Sequence, residues 1–375
     1  MAKDVYEALA THLDSLPAGF PRTESGVEMR ILRRLFTPED AELAVYLTVI
    51  PEEPRVVARR AGIPVPEAAR RLEEMDKKGL IMRVRQKDGP SLYMAQQYAV
   101  GFWEAQVNRL TPELVQDALE YEPAFFKPDH WKKAPQLRTI PVSRSINVQN
   151  EVMPYEMAGE FARTQTSIAV SNCICRQGMR LLGKGCDKPE ESCFTLGVAA
   201  DYVAHSGRGR KISPEEALEM FQRADEAGLV LQPDNAKDPF FMCTCCGCCC
   251  GVLHALKRDP KPASIVTSPF FARLDSSTCK GCGLCTKRCQ MDAIRLSDKK
   301  SVLDTDRCIG CGLCVSTCPT HSLSLVRKSA AEQAKIPKDH IKSVIKVGQA
   351  RGKLGIGELV TMQLKSKLDR LLAPK

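Results

Sequence analysis

Two runs of cysteine toward the end of the chain have a spacing that suits iron–sulfur chemistry. Each run reads Cys-x2-Cys-x2-Cys-x3-Cys, and the second repeats the first after 29 residues (279 to 308). The runs are Cys279, Cys282, Cys285 and Cys289, and then Cys308, Cys311, Cys314 and Cys318. Three thiolates on one tight loop can bind three corners of a four-iron, four-sulfur cube and leave the fourth corner open. Zinc sites use separated Cys-x2-Cys pairs, so zinc does not explain the third and fourth cysteines of each run.

This repeat resembles the bacterial two-cluster ferredoxin, in which the fourth cysteine of each run binds the other cluster. The resemblance implies one cluster on Cys279, Cys282, Cys285 and Cys318, and a second cluster on Cys308, Cys311, Cys314 and Cys289. It also implies electron transfer between two clusters that lie close together. The first run is followed by Gln290, where the family usually has proline. This difference removes no ligand, and we expect it to alter the stiffness of the loop or the reduction potential of the cluster.

The residues between these cysteines suit the same purpose. Glycines at 281, 283, 310 and 312 allow a positive φ and bring backbone N–H groups toward the sulfurs. Such hydrogen bonds stabilise the more negative, reduced cluster. Residues 293–297 and 301–304 are predicted to form a β-hairpin between the two runs.

Ten further cysteines precede the repeat, and four of them are spaced as one ligand set. These are Cys173, Cys175, Cys186 and Cys193. Four thiols suffice for one cluster or for one zinc ion, and free thiols are the third interpretation. Arg176 and Lys184 would offset the charge of a thiolate-rich site. A chain that already carries iron–sulfur motifs favours the cluster.

The other six thiols lie within eight residues. They are Cys243, Cys245, Cys246, Cys248, Cys249 and Cys250. One cube needs only four ligands, and adjacent cysteines are not expected to face the same metal. One interpretation is that two clusters share this segment with the four cysteines before it. Another is an unusual cluster with an open coordination position, and the Cys-Cys-Gly pairs are loosely similar to those of heterodisulfide-reductase-type subunits.

Composition and cysteine distribution bound the class of protein. The chain has 375 residues, 43% of them apolar and 26% charged, which is typical of a folded protein of two or three domains. All 18 cysteines follow residue 172 and occur in bunches, which indicates metal ligands rather than disulfides. We find no signal peptide and no apolar run long enough to span a bilayer. The expected location is therefore the reducing cytoplasm.

Residues 28–98 are predicted to form a winged-helix-like domain of helices followed by a hairpin. Thr37-Pro38-Glu39-Asp40 has the residues of a helix start, and the helix that it opens is predicted over residues 39–49. The candidate recognition helix, residues 66–78, mixes four basic with four acidic residues. DNA-binding helices carry a more uniformly basic face, so a structural or protein-docking module is favoured over DNA binding.

The remaining chain is predicted as four segments. Residues 99–160 form a helical and extended connector, residues 161–262 a Cys-rich α/β domain, residues 263–328 the dicluster ferredoxin domain, and residues 329–375 a basic tail. From residue 327 to 375 there are 12 basic and 4 acidic residues, which gives +8 of the net +9. The tail's Val360, Leu364, Leu368 and Leu371 follow helical spacing. This amphipathic helix is predicted to dock on an acidic partner or a membrane surface, or to pack on its own protein.

The whole arrangement is an α+β multidomain protein. It is similar to a group of cytoplasmic 4Fe–4S binding proteins of anaerobic bacteria, through the Cys173-x-Cys175-Arg176 motif, the segment 245–250 and the ferredoxin repeat. The leading hypothesis is an electron-transfer protein with two clusters in the ferredoxin domain and one or two more in the middle domain, working with redox partner proteins. One alternative is a redox-responsive DNA-binding regulator. The other is an oxidoreductase with an unusual cluster on residues 243–250.

Overall fold

A computed structural model describes residues 4–146 and 151–374 of the chain. Residues 1–3, residues 147–150 of the predicted connector and residue 375 of the predicted tail lie outside the described residues. The chain divides into two compact units. The first contains Met1–Phe125 and Val344–Lys375, and the second contains Phe126–Ser343.

The first unit begins with helices followed by a β-hairpin and a further helix. These elements are α1 (Val5–Ser15), α2 (Val27–Leu35), α3 (Pro38–Ala44), α4 (Pro54–Ala61), α5 (Val65–Lys78), β1 (Ile81–Val84), β2 (Leu92–Ala95) and α6 (Pro112–Phe125). Thr37 caps α3 by accepting a hydrogen bond from the Asp40 N–H (3.2 Å), and the Asp40 carboxylate accepts from the Thr37 N–H (3.1 Å). The helix start predicted at Thr37 is therefore confirmed, although α3 ends at Ala44 rather than at residue 49. The winged-helix assignment itself stays a prediction.

The second unit contains a five-stranded antiparallel sheet with helices between its strands. Its elements up to residue 258 are α7 (Pro128–Lys133), α8 (Ala158–Thr164), β3 (Ile168–Asn172), α9 (Ile174–Leu181), β4 (Glu191–Leu196), α10 (Val198–His205), β5 (Gly209–Ile212), α11 (Pro214–Glu226), β6 (Val230–Pro233), β7 (Phe241–Cys245) and α12 (Gly251–Arg258). The strand order is β5-β3-β4-β7-β6. The sequence pattern predicts strands over residues 167–170 and 229–232, and these correspond to β3 and β6.

Two pairs of antiparallel strands follow in the same unit. Their elements are β8 (Phe270–Leu274), α13 (Leu284–Arg288), β9 (Ile294–Ser297), β10 (Lys300–Leu303) and β11 (Leu323–Arg327). β9 and β10 are antiparallel neighbours, so the hairpin predicted between the cysteine runs is confirmed. β8 pairs with β11, which joins the beginning and the end of the ferredoxin repeat, with Ala272 opposite Leu325.

Two helices end the chain, α14 (His340–Ala350) and α15 (Ile356–Leu372). In the first unit, α15 contacts α4 through polar groups. Asp369 accepts hydrogen bonds from Arg60 (2.6 Å) and Arg59 (2.5 Å), and the Ser366 hydroxyl donates to Glu52. The apolar stripe of α15 stays exposed: Ile356, Val360, Leu364, Leu368 and Leu371. Across residues 4–146 and 151–374, no helix has the length and apolar character needed to cross a bilayer.

Candidate metal centres

Five of the eight cysteines of the ferredoxin repeat lie in or against one apolar core. Cys285 and Cys314 lie inside a buried cluster with Ala272, Ile294 and Leu323. The thiols of Cys289, Cys308 and Cys318 pack against the same cluster. Cys279 is also buried, Cys311 is half-buried, and Cys282 is exposed. The two runs therefore contribute to a common core although 29 residues separate them (279 to 308).

Two glycines show how tightly the cysteine loops are packed. Gly281 has a φ of +67° and Gly310 a φ of +71°, values that favour glycine. A Cβ on Gly281 would overlap the carbonyl of Lys299, and one on Gly310 would overlap the carbonyl of Phe270. The first loop thus lies directly against the turn between β9 and β10, the second lies against β8, and no side chain fits between.

Backbone amides point at several of these sulfurs. The Ala293 N–H donates to Cys289 Sγ (3.2 Å), and the Ala272 N–H donates to Cys308 Sγ (3.4 Å). The N–H groups of Ser301 and Gly281 lower the pKa of Cys279 below its usual value. Hydrogen bonds of this kind stabilise thiolates and, in a bound cluster, the reduced state.

Cys289 of the first run lies among the thiols of the second run. Burial raises the pKa of Cys311 to about 12, and the nearby Cys289 and Cys308 add to this shift. Burial likewise raises the pKa of Cys314, with Cys311, Cys308 and Cys289 contributing. The ligand set of Cys308, Cys311, Cys314 and Cys289 itself stays a prediction.

The ten cysteines of the middle region separate into two groups, which differ from the two groups seen along the sequence. The first group contains Cys186, Cys246, Cys248 and Cys249, whose sulfurs all lie within 4.8 Å of one another. Cys186 Sγ is 4.0 Å from Cys246 Sγ and 3.7 Å from Cys249 Sγ. We call this group the four-thiol site.

The expectation that adjacent cysteines do not face the same metal is wrong for Cys248 and Cys249. Their sulfurs are 3.8 Å apart within the four-thiol site. The chain turns here, with the N–H groups of Cys249 and Cys250 donating to the Cys246 carbonyl (3.4 and 3.1 Å). The turn brings successive side chains to one side, whereas an extended strand would place them on opposite sides.

The second group contains the other six thiols and is called the six-thiol group: Cys173, Cys175, Cys193, Cys243, Cys245 and Cys250. Cys193 on β4 lies directly opposite Cys243 on β7, and Cys245 follows on the same face of β7. Hydrogen bonds join neighbouring thiols, and those to Cys175 and Cys245 lower the pKa of Cys250 to about 6. Cys173 and Cys250 occupy the N-cap positions of α9 and α12, where helix dipoles favour negative charge.

Arg176 is a fully buried cation beside both groups. Its guanidinium donates to the carbonyls of Pro189 and Thr244 and to the Ser192 hydroxyl. Burial alone would lower the pKa of Arg176, but Cys173 and Cys246 raise it. The prediction that Arg176 offsets thiolate charge therefore has a structural basis. Lys184, in contrast, is exposed.

The four-thiol site lies directly against the ferredoxin repeat. The Gly247 N–H, between Cys246 and Cys248, donates to Gln290 Oε1 (2.8 Å). A Cβ on Gly247 would overlap the Gln290 carbonyl. Next to this contact, Lys257 Nζ is 2.9 Å from the Asp292 carboxylate. Sequence reasoning did not identify this contact, although the absence of the usual proline at Gln290 was its signal.

Asp225 of α11 forms a second connection to the ferredoxin repeat. Its carboxylate accepts from Arg288 (2.8 Å), Arg144 (2.6 Å) and Ser316 (3.1 Å). Arg288 precedes Cys289, and Ser316 lies between Cys314 and Cys318. One buried carboxylate thus fixes both cysteine runs to the middle region.

Comparison with protein families assigns the repeat. A family model described as a 4Fe-4S dicluster domain matches residues 272–325. No curated protein and no solved structure matches the chain. The residues present fit such clusters, since eight thiols, sulfur-directed N–H groups and close-packed glycine loops are all in place. The chain therefore carries a 4Fe–4S dicluster domain, together with further groups of cysteine in its middle region.

Proposed function

We propose that this protein is an iron–sulfur electron carrier. The observation that carries the proposal is the match of residues 272–325 to a 4Fe-4S dicluster domain, whose two cysteine runs both contribute to one apolar core. One cluster would be held by Cys279, Cys282, Cys285 and Cys318, and the other by Cys308, Cys311, Cys314 and Cys289. Bound there, each cluster supplies a site for a single electron. The chain itself contributes the ligands, the N–H donors and an apolar surround.

The exposed end of the repeat is where we propose that a redox partner binds. Cys282 and Leu284 are exposed, and Lys280 and Lys287 are exposed beside them. Opposite charges guide partners together and fix their orientation more than they add affinity. The expected partner therefore presents acidic residues around its own redox centre.

The six-thiol group is the place where we propose that a further iron–sulfur cluster binds. Six thiols exceed the four that a cube requires, and Arg176 and two helix N-termini stabilise negative charge around them. Cys250 of this group is joined along the chain to Gly247, whose N–H donates to Gln290 of the ferredoxin repeat. The middle region would then extend the electron path beyond the two ferredoxin clusters.

The rival role of a DNA-binding regulator receives less support from α5. Arg70, Arg71 and Lys77 each pair with a glutamate one turn earlier or later in the same helix. Such pairs reduce the net positive charge available for phosphates. We therefore expect no salt-sensitive DNA binding in either oxidation state, which a gel-shift measurement under anaerobic conditions would check.

Anaerobic analysis of iron and acid-labile sulfide tests the proposed function. The two ferredoxin clusters account for about eight irons and eight sulfides, and a cluster in the six-thiol group raises both to about twelve. Cys285→Ser is expected to lower the iron and sulfide that belong to one ferredoxin cluster. Cys193→Ser is expected to lower only the iron and sulfide of the additional cluster. Reduction by dithionite must bleach the visible absorption reversibly. Protein without labile sulfide, or with a chromophore that cannot be reduced, would refute the electron-carrier role.

A further inference from the structure

The distances within the four-thiol site distinguish it from the ferredoxin repeat. The resolved contacts are 4.0 Å (Cys186 to Cys246), 3.7 Å (Cys186 to Cys249) and 3.8 Å (Cys248 to Cys249), and every pair is within 4.8 Å. In the part of the chain that the structure describes, the eight ferredoxin cysteines form no group that is so compact.

These distances match the coordination sphere of a single ion. Thiolates bind Zn²⁺ at about 2.3 Å in a tetrahedron, whose edge is about 1.6 times that length, or roughly 3.8 Å. A four-iron cube places four metal ions between its cysteine sulfurs and so holds them much farther apart. Because every pair of its sulfurs lies within 4.8 Å, the four-thiol site is too small for a cube.

We propose that Cys186, Cys246, Cys248 and Cys249 bind one tetrahedral zinc ion. This site is separate from the iron–sulfur clusters of the proposed function and does not depend on them. Four protein ligands close the coordination sphere, which is the arrangement of structural rather than catalytic zinc. The ion would join the loop at residue 186 to the turn at residues 246–249.

The surroundings of Cys186 are built to hold a thiolate. Arg180 donates to the Cys186 carbonyl (3.2 and 3.0 Å) and to the Lys188 carbonyl (3.1 Å), which fixes this loop. The Lys188 N–H is directed at the Cys186 sulfur. Lys257 lies on the other side of the turn, where its Nζ would be 3.1 Å from a Cβ on Gly247. Cationic and N–H groups therefore surround a site whose four thiolates exceed the charge of Zn²⁺ by two.

The zinc ion would also set the position of the ferredoxin loop. Its ligands Cys246 and Cys248 flank Gly247, whose N–H is bonded to Gln290, and Gln290 follows Cys289. Ligands on both sides of Gly247 hold this N–H in one direction. Since zinc does not change oxidation state, the contact stays the same while nearby clusters gain and lose electrons.

Metal analysis of the anaerobically purified holoprotein tests the assignment. Cells are grown with zinc, and zinc, iron and labile sulfide are measured in wild type, Cys186→Ser and Cys285→Ser. We expect one zinc per chain in wild type, at least a tenfold loss of zinc in Cys186→Ser, and unchanged iron and sulfide in that variant. Cys285→Ser is the matched control, because it removes a thiolate from a ferredoxin cluster and should lower iron and sulfide but leave zinc unchanged.

The opposite pattern overturns the proposal. If Cys186→Ser loses about four irons and four sulfides, the four-thiol site holds a cluster. If wild type contains no zinc after growth with zinc, and does not bind Co²⁺ with the charge-transfer absorption of a tetrahedral thiolate site, the site binds no such ion. Should Cys186→Ser be insoluble, Cys248→Ser gives the same test at an exposed ligand. Wild-type protein that contains zinc but transfers no electrons would refute the proposed function and leave this inference standing.

Discussion

Replacing Gln290 with alanine tests the connection between the zinc site and the ferredoxin repeat. The side chain is buried, and its Oε1 accepts the Gly247 N–H at 2.8 Å. Its Nε2 donates to the Arg288 carbonyl at 3.2 Å. Gln290→Ala removes the acceptor but leaves every cysteine in place. Proline, the usual residue of the ferredoxins that this repeat resembles, would also change the backbone, so alanine is the cleaner substitution.

The size of the effect on zinc binding follows from the Gly247 N–H, which loses its acceptor in Gln290→Ala. A buried donor without its partner costs about 1–3 kcal/mol. In the zinc-bound state the flanking ligands hold the Gly247 N–H in place, whereas in the metal-free state the turn can relax toward water. Most of the cost therefore falls on the bound state and weakens zinc binding by about 10–100-fold, which agrees with the usual effect of losing an outer hydrogen bond around a metal.

Competition with a zinc chelator under anaerobic conditions measures this change. Gln222→Ala is the matched control, because Gln222 is exposed on α11 of the same unit and its side chain donates to Glu226 one turn away. We expect the control to bind zinc as wild type does, and both variants to keep their iron and sulfide. A zinc affinity for Gln290→Ala within twofold of wild type would refute the reasoning, as would loss of ferredoxin iron with zinc retained.

Three further predictions concern other parts of the molecule. Asp225→Ala leaves Arg288 without its buried carboxylate, and we expect a loss of about 3–5 kcal/mol in unfolding free energy by denaturant titration, with Gln222→Ala unchanged. Gly310→Ala places a Cβ on the Phe270 carbonyl at a positive φ, so we expect at least half of the ferredoxin iron to be lost, as measured by iron and sulfide analysis. Burial lowers the pKa of His12, so below about pH 6.5 the unfolded chain binds a proton that the folded state excludes. The stability of the first unit should therefore fall as the pH drops below about 6.5. Hydrogen exchange of α1 measures this dependence, and His12→Gln should flatten it.

The ferredoxin repeat could be predicted because its information is local. Each loop supplies three ligands within seven residues, and the glycines that its geometry needs stand next to them. The hairpin between the runs could be predicted from alternation and from its short turn, and β9 and β10 begin and end within one residue of expectation. Local spacing determines local geometry, so little tertiary information is required here.

The partition of the ten middle cysteines could not be predicted in the same way. Cys186 and Cys193 are seven residues apart, but Cys193 lies on β4 facing β7, whereas Cys186 lies on the loop before that strand. Which thiols meet depends on the pairing of β4 with β7, two strands that the sequence pattern did not reveal. Sequence spacing grouped Cys186 with Cys193, and the sheet separates them.

A zinc ion beside iron–sulfur clusters has a physical purpose that neither cofactor could serve alone. A cluster changes charge with each electron, and its surrounding dipoles respond to that change. The Gly247–Gln290 contact links two segments. One is the loop that contains Cys289, beside a cluster whose charge changes. The other is the turn at residues 246–249, whose cysteines surround an ion of constant charge. Holding one side of the contact fixed limits how far the loop can move between oxidation states, so less rearrangement accompanies each electron. Zinc removal should therefore alter the potential or the reduction rate of the cluster that contains Cys289 more than that of its neighbour.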